Sequence, residues 1–148
     1  MTAQEYMAEQ TERMGPMLAH FIAATAPDKL RWEPFMEGSD STRSVLDQVA
    51  ECVDVNRQFA ASLRGDEIPP ASGSSSPIEF TDAQDAQDQI IASARELAVS
   101  IRGLDDEALE RTFQSSRGPR TGRNLIIAAY RNMAYHAGQI QPDTAPGR

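Results

Sequence analysis

The sequence is poor in most of the residues that advertise a function. Of 148 residues, one is cysteine, one is tryptophan and two are histidine. A lone Cys52 excludes an internal disulfide framework and a multi-cysteine zinc site. Aromatics make up 6%. Bases are also scarce, 14 Lys and Arg against 22 Asp and Glu, for a net charge of −8. A surface of that sign repels phosphate backbones, so the expectation is no nucleic-acid partner. No window approaches the roughly 18 apolar residues of a membrane span. The opening MTAQEYMAEQTERM lacks the basic start and apolar run of a secretory signal. HExxH, CxxC, GxGxxG, P-loop and GxSxG signatures are all missing. The expectation is a cytoplasmic, non-membrane, single-domain protein, with any activity built from residues brought together in space.

What is present is helical periodicity, in four stretches. The first, about Ala3 to Thr25, has the stripe Met7, Met14, Met17, Leu18, Phe21 and Ile22. Pro16 falls inside it and is expected to bend or loosen it; Pro27 marks its end. A turn-rich connector, Asp28 to Arg43, holds Trp32, Pro34 and Gly38. Ser44 with Asp47 is read as a capping box opening the second helix, which runs through Val45, Val49, Cys52, Val53, Asn56, Phe59 and Leu63 to Gly65. Residues 66–80 read as a mobile surface loop. Thr81 with Gln84 reads as the capping box of a third helix, with the stripe Ala83, Gln87, Ile90, Ala94, Leu97 and Ile101. A short helical turn is expected near Asp105–Glu110, and loop or a short extended piece over 111–122. The fourth helix is read from Arg123 to Ile140, stopped by Pro142. Four amphipathic helices with unequal connectors give an all-α four-helix bundle over residues 1–141, followed by a flexible tail at 142–148.

The fourth helix, NLIIAAYRNMAYHAGQI, carries most of the chemical information. At 100° per residue, Leu125, Ile126, Ala129, Met133 and Ile140 form one apolar stripe, and His136 falls inside it. Asn132 and Gln139 lie at the same edge, four before and three after. Polar groups on the inner face of a bundle helix destabilise it unless they are bonded or ligate something. One reading is a metal ligand, with a carboxylate opposite; the other is a buried histidine satisfied by its neighbours.

Three segments, KLRWEP, STRSVLDQVAECVDVNRQFAASLRG and NMAYHAGQI, in this order, resemble the DinB/YfiT-like superfamily of damage-inducible, metal-dependent bacterial proteins. The resemblance implies an up-down-down-up bundle, commonly a homodimer. It also implies a divalent metal (Zn, Ni, Fe or Mn) held by one histidine on helix two and two on helix four. Those positions fall on Glu51, Asn132 and His136, so a single histidine remains, and the pattern marks a branch with Glu and Asn at the other two. The implied metal ligands are Glu51, His136 and Asn132, with Gln139 and Gln48 as substrate contacts. The implied activity is a thiol-dependent transferase or isomerase acting on a small-molecule substrate. The alternative is a non-catalytic, metal-free bundle acting as a binding or stress-related dimer, which the two substitutions favour.

Periodicity pulls the other way on Glu51. It lies roughly 140° from the centre of the Val45, Val49, Cys52 and Phe59 stripe, which by itself makes it a surface residue. Cys52, mid-helix between Glu51 and Asp54, is read as core filler rather than a nucleophile. His20 is read as solvated, and Trp32 as closing one end of the core. Arg117, Arg120 and Arg123 in RGPRTGR form either a solvated loop or an anion site at the start of helix four.

Overall fold

In a computed structural model of the chain, residues 1–33, 43–67 and 78–142 are described. The expectations for Pro34, Gly38, the centre of the 66–80 loop and the tail beyond Pro142 lie outside these residues. Four helices dominate: α1 (Ala3–Ala24), α2 (Val45–Arg64), α3 (Ala83–Arg102) and α4 (Gly122–Ile140). Two short 3-10 turns, Pro27–Lys29 and Glu107–Leu109, and two strands, β1 (Thr112–Phe113) and β2 (Arg120–Thr121), complete the order. The strands pair antiparallel, Thr112 opposite Thr121.

Local chemistry sets the helix ends. Thr2 caps α1 by accepting from the Glu5 N–H. Ser44 and Asp47 form the reciprocal capping box of α2, and Gly65 ends that helix at φ 77°, where a side chain is strained. For α3 the cap is Asp82, not Thr81: Asp82 accepts from the Asp85 N–H, and Asp85 accepts from the Thr81 N–H. Asp caps as well as Thr does, and the better-placed carboxylate moved the start by one residue. Thr121 caps α4. Pro16 does not interrupt α1. Its ring lies on the exposed side, while Met14, Gly15, Leu18 and Ala19 around it are buried.

Contacts fix the direction of each helix. Gln4 at the start of α1 bonds Asp106 just past α3, so α1 and α3 are antiparallel. Asn56 meets Ser93 and Arg64 meets Glu96, so α2 and α3 run the same way. Gln48 meets His136 while Asn56 meets Met133, so α2 and α4 are antiparallel. The result is the up-down-down-up bundle, with α1 packed most extensively on α3 and α2 seated between α3 and α4. α1 approaches α3 closely at Gly15, where an added Cβ would lie 3.1 Å from the Ala94 Cβ.

The core divides into two apolar clusters. One contains Leu18, Ile22, Val49, Cys52, Val53, Ile90, Met133 and Ile140. The other contains Val55, Phe59, Leu63, Leu97, Ile101, Leu125 and Ile126. Three helices each bury a polar residue completely, Thr11 on α1, Asn56 on α2 and Ser93 on α3. Trp32 does not close the core; it is 54% exposed, with the Lys29 ammonium 5.0 Å from its ring centre. Met17, expected in the α1 stripe, is exposed. Among the described residues no helix is long and apolar enough to cross a membrane.

Candidate functional site

The seam between α2 and α4 brings four polar side chains into bonded groups. His136 is buried, 5% exposed, on the inner face of α4. Its Nε2 lies 2.6 Å from Glu51 Oε2. Its Nδ1 lies 2.9 Å from Gln48 Oε1. Glu51 follows Gln48 by three residues on α2, close to one turn, so both reach the same ring. An ionised carboxylate only accepts, so Nε2–H donates to Glu51. The Gln48 amide serves either protonation state of the ring, turning its oxygen to a protonated Nδ1 or its NH₂ to a bare one.

Glu51 is not the surface glutamate that a single-stripe test suggests; 26% of its side chain is exposed. In this bundle α2 has neighbours on two flanks, α3 and α4, so its buried arc is wider than one stripe. Glu51 sits on the α4 flank. Its Oε2 accepts from His136 and, at 2.8 Å, from Arg43 Nη1. Among the described residues Oε1 accepts no hydrogen bond. The bond from His136 is the main cause that holds the Glu51 carboxyl below its usual range; burial opposes it, and the charges of His136, Arg43 and Arg117 reinforce it.

Arg43 and Arg117 were not legible in the sequence as parts of this site. Arg43 precedes the α2 cap, which aims it back along the helix. Arg117 comes from the tip of the β1–β2 hairpin, where Ser115 and Gly118 bond each other's backbone and Gly118 takes φ 91°. The tip docks on α2 through Ser116, whose hydroxyl donates to Gln58 Oε1 at 2.5 Å. That fold-back brings the Arg117 charge to bear on Glu51. Of the other two arginines of RGPRTGR, Arg120 lies in β2, and Arg123 pairs with Glu110 at 3.4 Å on the surface.

The remaining candidates divide. Asn132 is half-buried and turns its Nδ2 to Cys52 Sγ at 3.8 Å. Gln139 is exposed and donates to the Tyr135 hydroxyl at 2.9 Å, away from His136. Cys52 is fully buried; burial, then the Glu51 charge, push its thiol up to about 12. A cleft of about 700 Å³ between α2 and α3 is lined by Leu63, Arg64, Glu96, Val99 and Leu104 and does not include the His136 group.

The metal implied by the resemblance fits this donor set poorly. The two strongest ligand atoms, Glu51 Oε2 and His136 Nε2, are bonded to each other. The third position is an amide facing a thiol. Among the described residues no group of three or more His, Cys, Asp or Glu is placed to hold an ion.

An up-down-down-up bundle with a His-centred polar group at the α2–α4 seam defines the class. The DinB superfamily model matches residues 10–140, and the chain belongs to that superfamily. Its fold is similar to a conserved protein from Enterococcus faecalis, 13% identical, with a TM-score of 0.73 over 95% of this chain and 94% of that one. It is also similar to the colibactin self-resistance protein ClbS, 10% identical, with a TM-score of 0.64 over 93% and 92% of the two chains. No curated protein matches.

The ClbS structure is a complex with dsDNA. This overturns the exclusion of nucleic acid drawn from net charge. A charge summed over the chain does not set the potential of one face. Here Arg111, Arg117, Arg120 and Arg123 are gathered on the hairpin and its flanks, and α4, which follows them, contains no Asp or Glu; most of the acids lie on α1–α3 and in the turn 105–110.

Proposed function

We propose that the chain is a small-molecule enzyme of the DinB class in which Glu51 is the general base and His136 its partner. The observation that carries this is the one-sided use of the Glu51 carboxylate. His136 and Arg43 hold Oε2, while Oε1 is left for a reactant. A carboxylate held below its usual range is ionised at neutral pH; the same shift makes it a weaker base, so its use here rests on position and on the open Oε1 rather than on basicity.

The reactant at Oε1 is a small nucleophile, water or a low-molecular-weight thiol. As its oxygen or sulfur attacks an electrophilic carbon, its proton passes to Glu51, the bond to the leaving group breaks, and the proton is returned to that group. Water gives a hydrolase; a thiol gives a transferase or isomerase. His136 is a positioning residue in this scheme. Bonded at both nitrogens, it fixes the carboxylate and steadies its charge, and Gln48 keeps the ring in place.

The test is a panel of small electrophiles (esters, epoxides, activated halides), offered with water alone and with a low-molecular-weight thiol. Turnover above background is expected, falling about 10²- to 10⁴-fold in Glu51→Gln with the helical circular dichroism unchanged. A rate indifferent to Glu51→Gln, or turnover of no electrophile, overturns the reading and leaves the non-catalytic bundle.

A further inference from the structure

Arg43 and Arg117 give this seam a positive charge that the acid–base pair does not itself require. Arg43 places one guanidinium nitrogen, Nη1, on Glu51 Oε2 at 2.8 Å. A guanidinium carries five N–H donors in a rigid fork, so most of that fork is not used on Glu51. Arg117 is carried over α2 by the docked hairpin. Among the described residues its guanidinium makes no hydrogen bond and no ion pair within 4 Å. Arg13, Arg64, Arg95, Arg102 and Arg123 each pair with a carboxylate, whereas Arg117, like Arg57, Arg111, Arg120 and Arg131, pairs with none among the described residues; what sets Arg117 apart is its place on the docked hairpin, where its charge acts on Glu51. A cation kept without a carboxylate partner beside the acceptor Glu51 points to an anion supplied from outside.

We propose that this site takes its positive charge from Arg43 and Arg117 rather than from a metal ion, and that they hold the carboxylate or phosphate group of a small anionic substrate. The substrate then spans the seam, with its anionic group on the guanidinium forks and its reacting end at Glu51 Oε1. Planar, bidentate pairing with oxyanions is what arginine does better than lysine, and the charge replaces the one a divalent ion would bring. The arrangement also accounts for the donor set: a guanidinium, not an ion, sits on the glutamate oxygen that the resemblance assigns to metal.

The inference rests on Glu51 as the reacting group, but its test is binding and needs no turnover. ¹⁵N-labelled protein is titrated with inorganic phosphate and, separately, acetate, following the arginine Nε–H and Gln48 side-chain amide signals. Saturable shifts are expected at Arg43, Arg117 and Gln48. Arg117→Gln and Arg43→Gln should each weaken binding about tenfold, whereas Glu51→Gln, which removes the competing negative charge, should tighten it. Shifts that do not saturate, or that survive both arginine substitutions, overturn the proposal. So does stoichiometric Zn²⁺ or Mn²⁺ binding that shifts His136 and is lost in Glu51→Gln. A short DNA duplex is the last arm. If it binds through the same two arginines far more tightly than phosphate, the ligand is a nucleic acid and the small-anion proposal fails. If the anion binds as expected but no electrophile is turned over, the binding inference stands and the catalytic reading alone falls.

Discussion

Cys52 shows how one residue can look reactive by type and be inert by place. The thiol is wholly buried and its ionisation is pushed up to about 12 by burial and by the Glu51 charge, from an ordinary 9.0. Its sulfur accepts a long contact, 3.8 Å, from the Asn132 amide. Native protein at pH 8 is therefore expected to resist a thiol reagent such as Ellman's, reacting fully only after denaturation. The same shift has a consequence for stability. The neutral thiol is favoured in the fold, so its contribution is intact below pH 9. Above pH 9 the unfolded chain releases the proton while the folded chain retains it, and the contribution is lost progressively toward pH 12. Urea denaturation from pH 8 to 11 should show wild type losing more stability than Cys52→Ala over that window. Equal losses would mean that the thiol is not confined as described.

At the scale of elements, glycines report how tightly the pieces meet. Gly122 opens α4 against the turn that precedes β1; an added Cβ would lie 2.3 Å from the Ala108 carbonyl oxygen. Backbone rather than a flexible side chain stands in the way, so Gly122→Ala should cost about 1–3 kcal/mol. Gly138, on the exposed side of the same helix, has nothing within 4 Å of a built Cβ. Gly138→Ala should stabilise by about 0.5–1 kcal/mol, because alanine loses less backbone entropy in a helix. Melting curves of the two variants should therefore move in opposite directions. The helices themselves were readable because their apolar residues repeat at 3.6, and nearly every residue of the α4 stripe is buried. The misreadings have particular causes. The α3 cap moved because two good capping residues, Thr81 and Asp82, stand side by side. Glu51 read as surface because one stripe cannot describe a helix with two packed flanks. Arg117 was read only with Arg120 and Arg123, as a solvated loop or an anion site at the start of helix four; its reach to Glu51 depends on a hairpin folding back onto α2, which no local pattern encodes. Arg43 was overlooked because residues before a helix cap carry no periodic signal.

For the whole molecule, the completely buried polar residues Thr11, Asn56 and Ser93 stand out from an otherwise apolar interior. Asn56 donates to Ser93 Oγ and Met133 Sδ, both at 3.3 Å, but among the described residues its Oδ1 has no partner, and neither has the Thr11 hydroxyl. Unpaired buried polar atoms cost stability, roughly 1–3 kcal/mol each. Ser93 retains its bond to the Ile90 carbonyl without Asn56. Asn56→Leu matches the amide in heavy-atom count and branching, and Asn56→Val is smaller; at least one is expected to raise the melting temperature by several degrees, and a fall in both would show that the amide is satisfied in solution, for instance by an internal water. Such residues limit how helices with uniform Ala, Leu and Ile faces slide lengthwise, since a one-turn slip would set a polar group against a purely apolar cluster.

The hairpin has an evolutionary consequence. It is closed by its own strand pairing and its own Ser115–Gly118 turn, and it reaches α2 through Ser116. Its outermost positions can be exchanged without repacking a helix. Selectivity in bundles of this kind can then drift by rewriting a handful of turn codons, while the glutamate and imidazole beneath stay under separate selection.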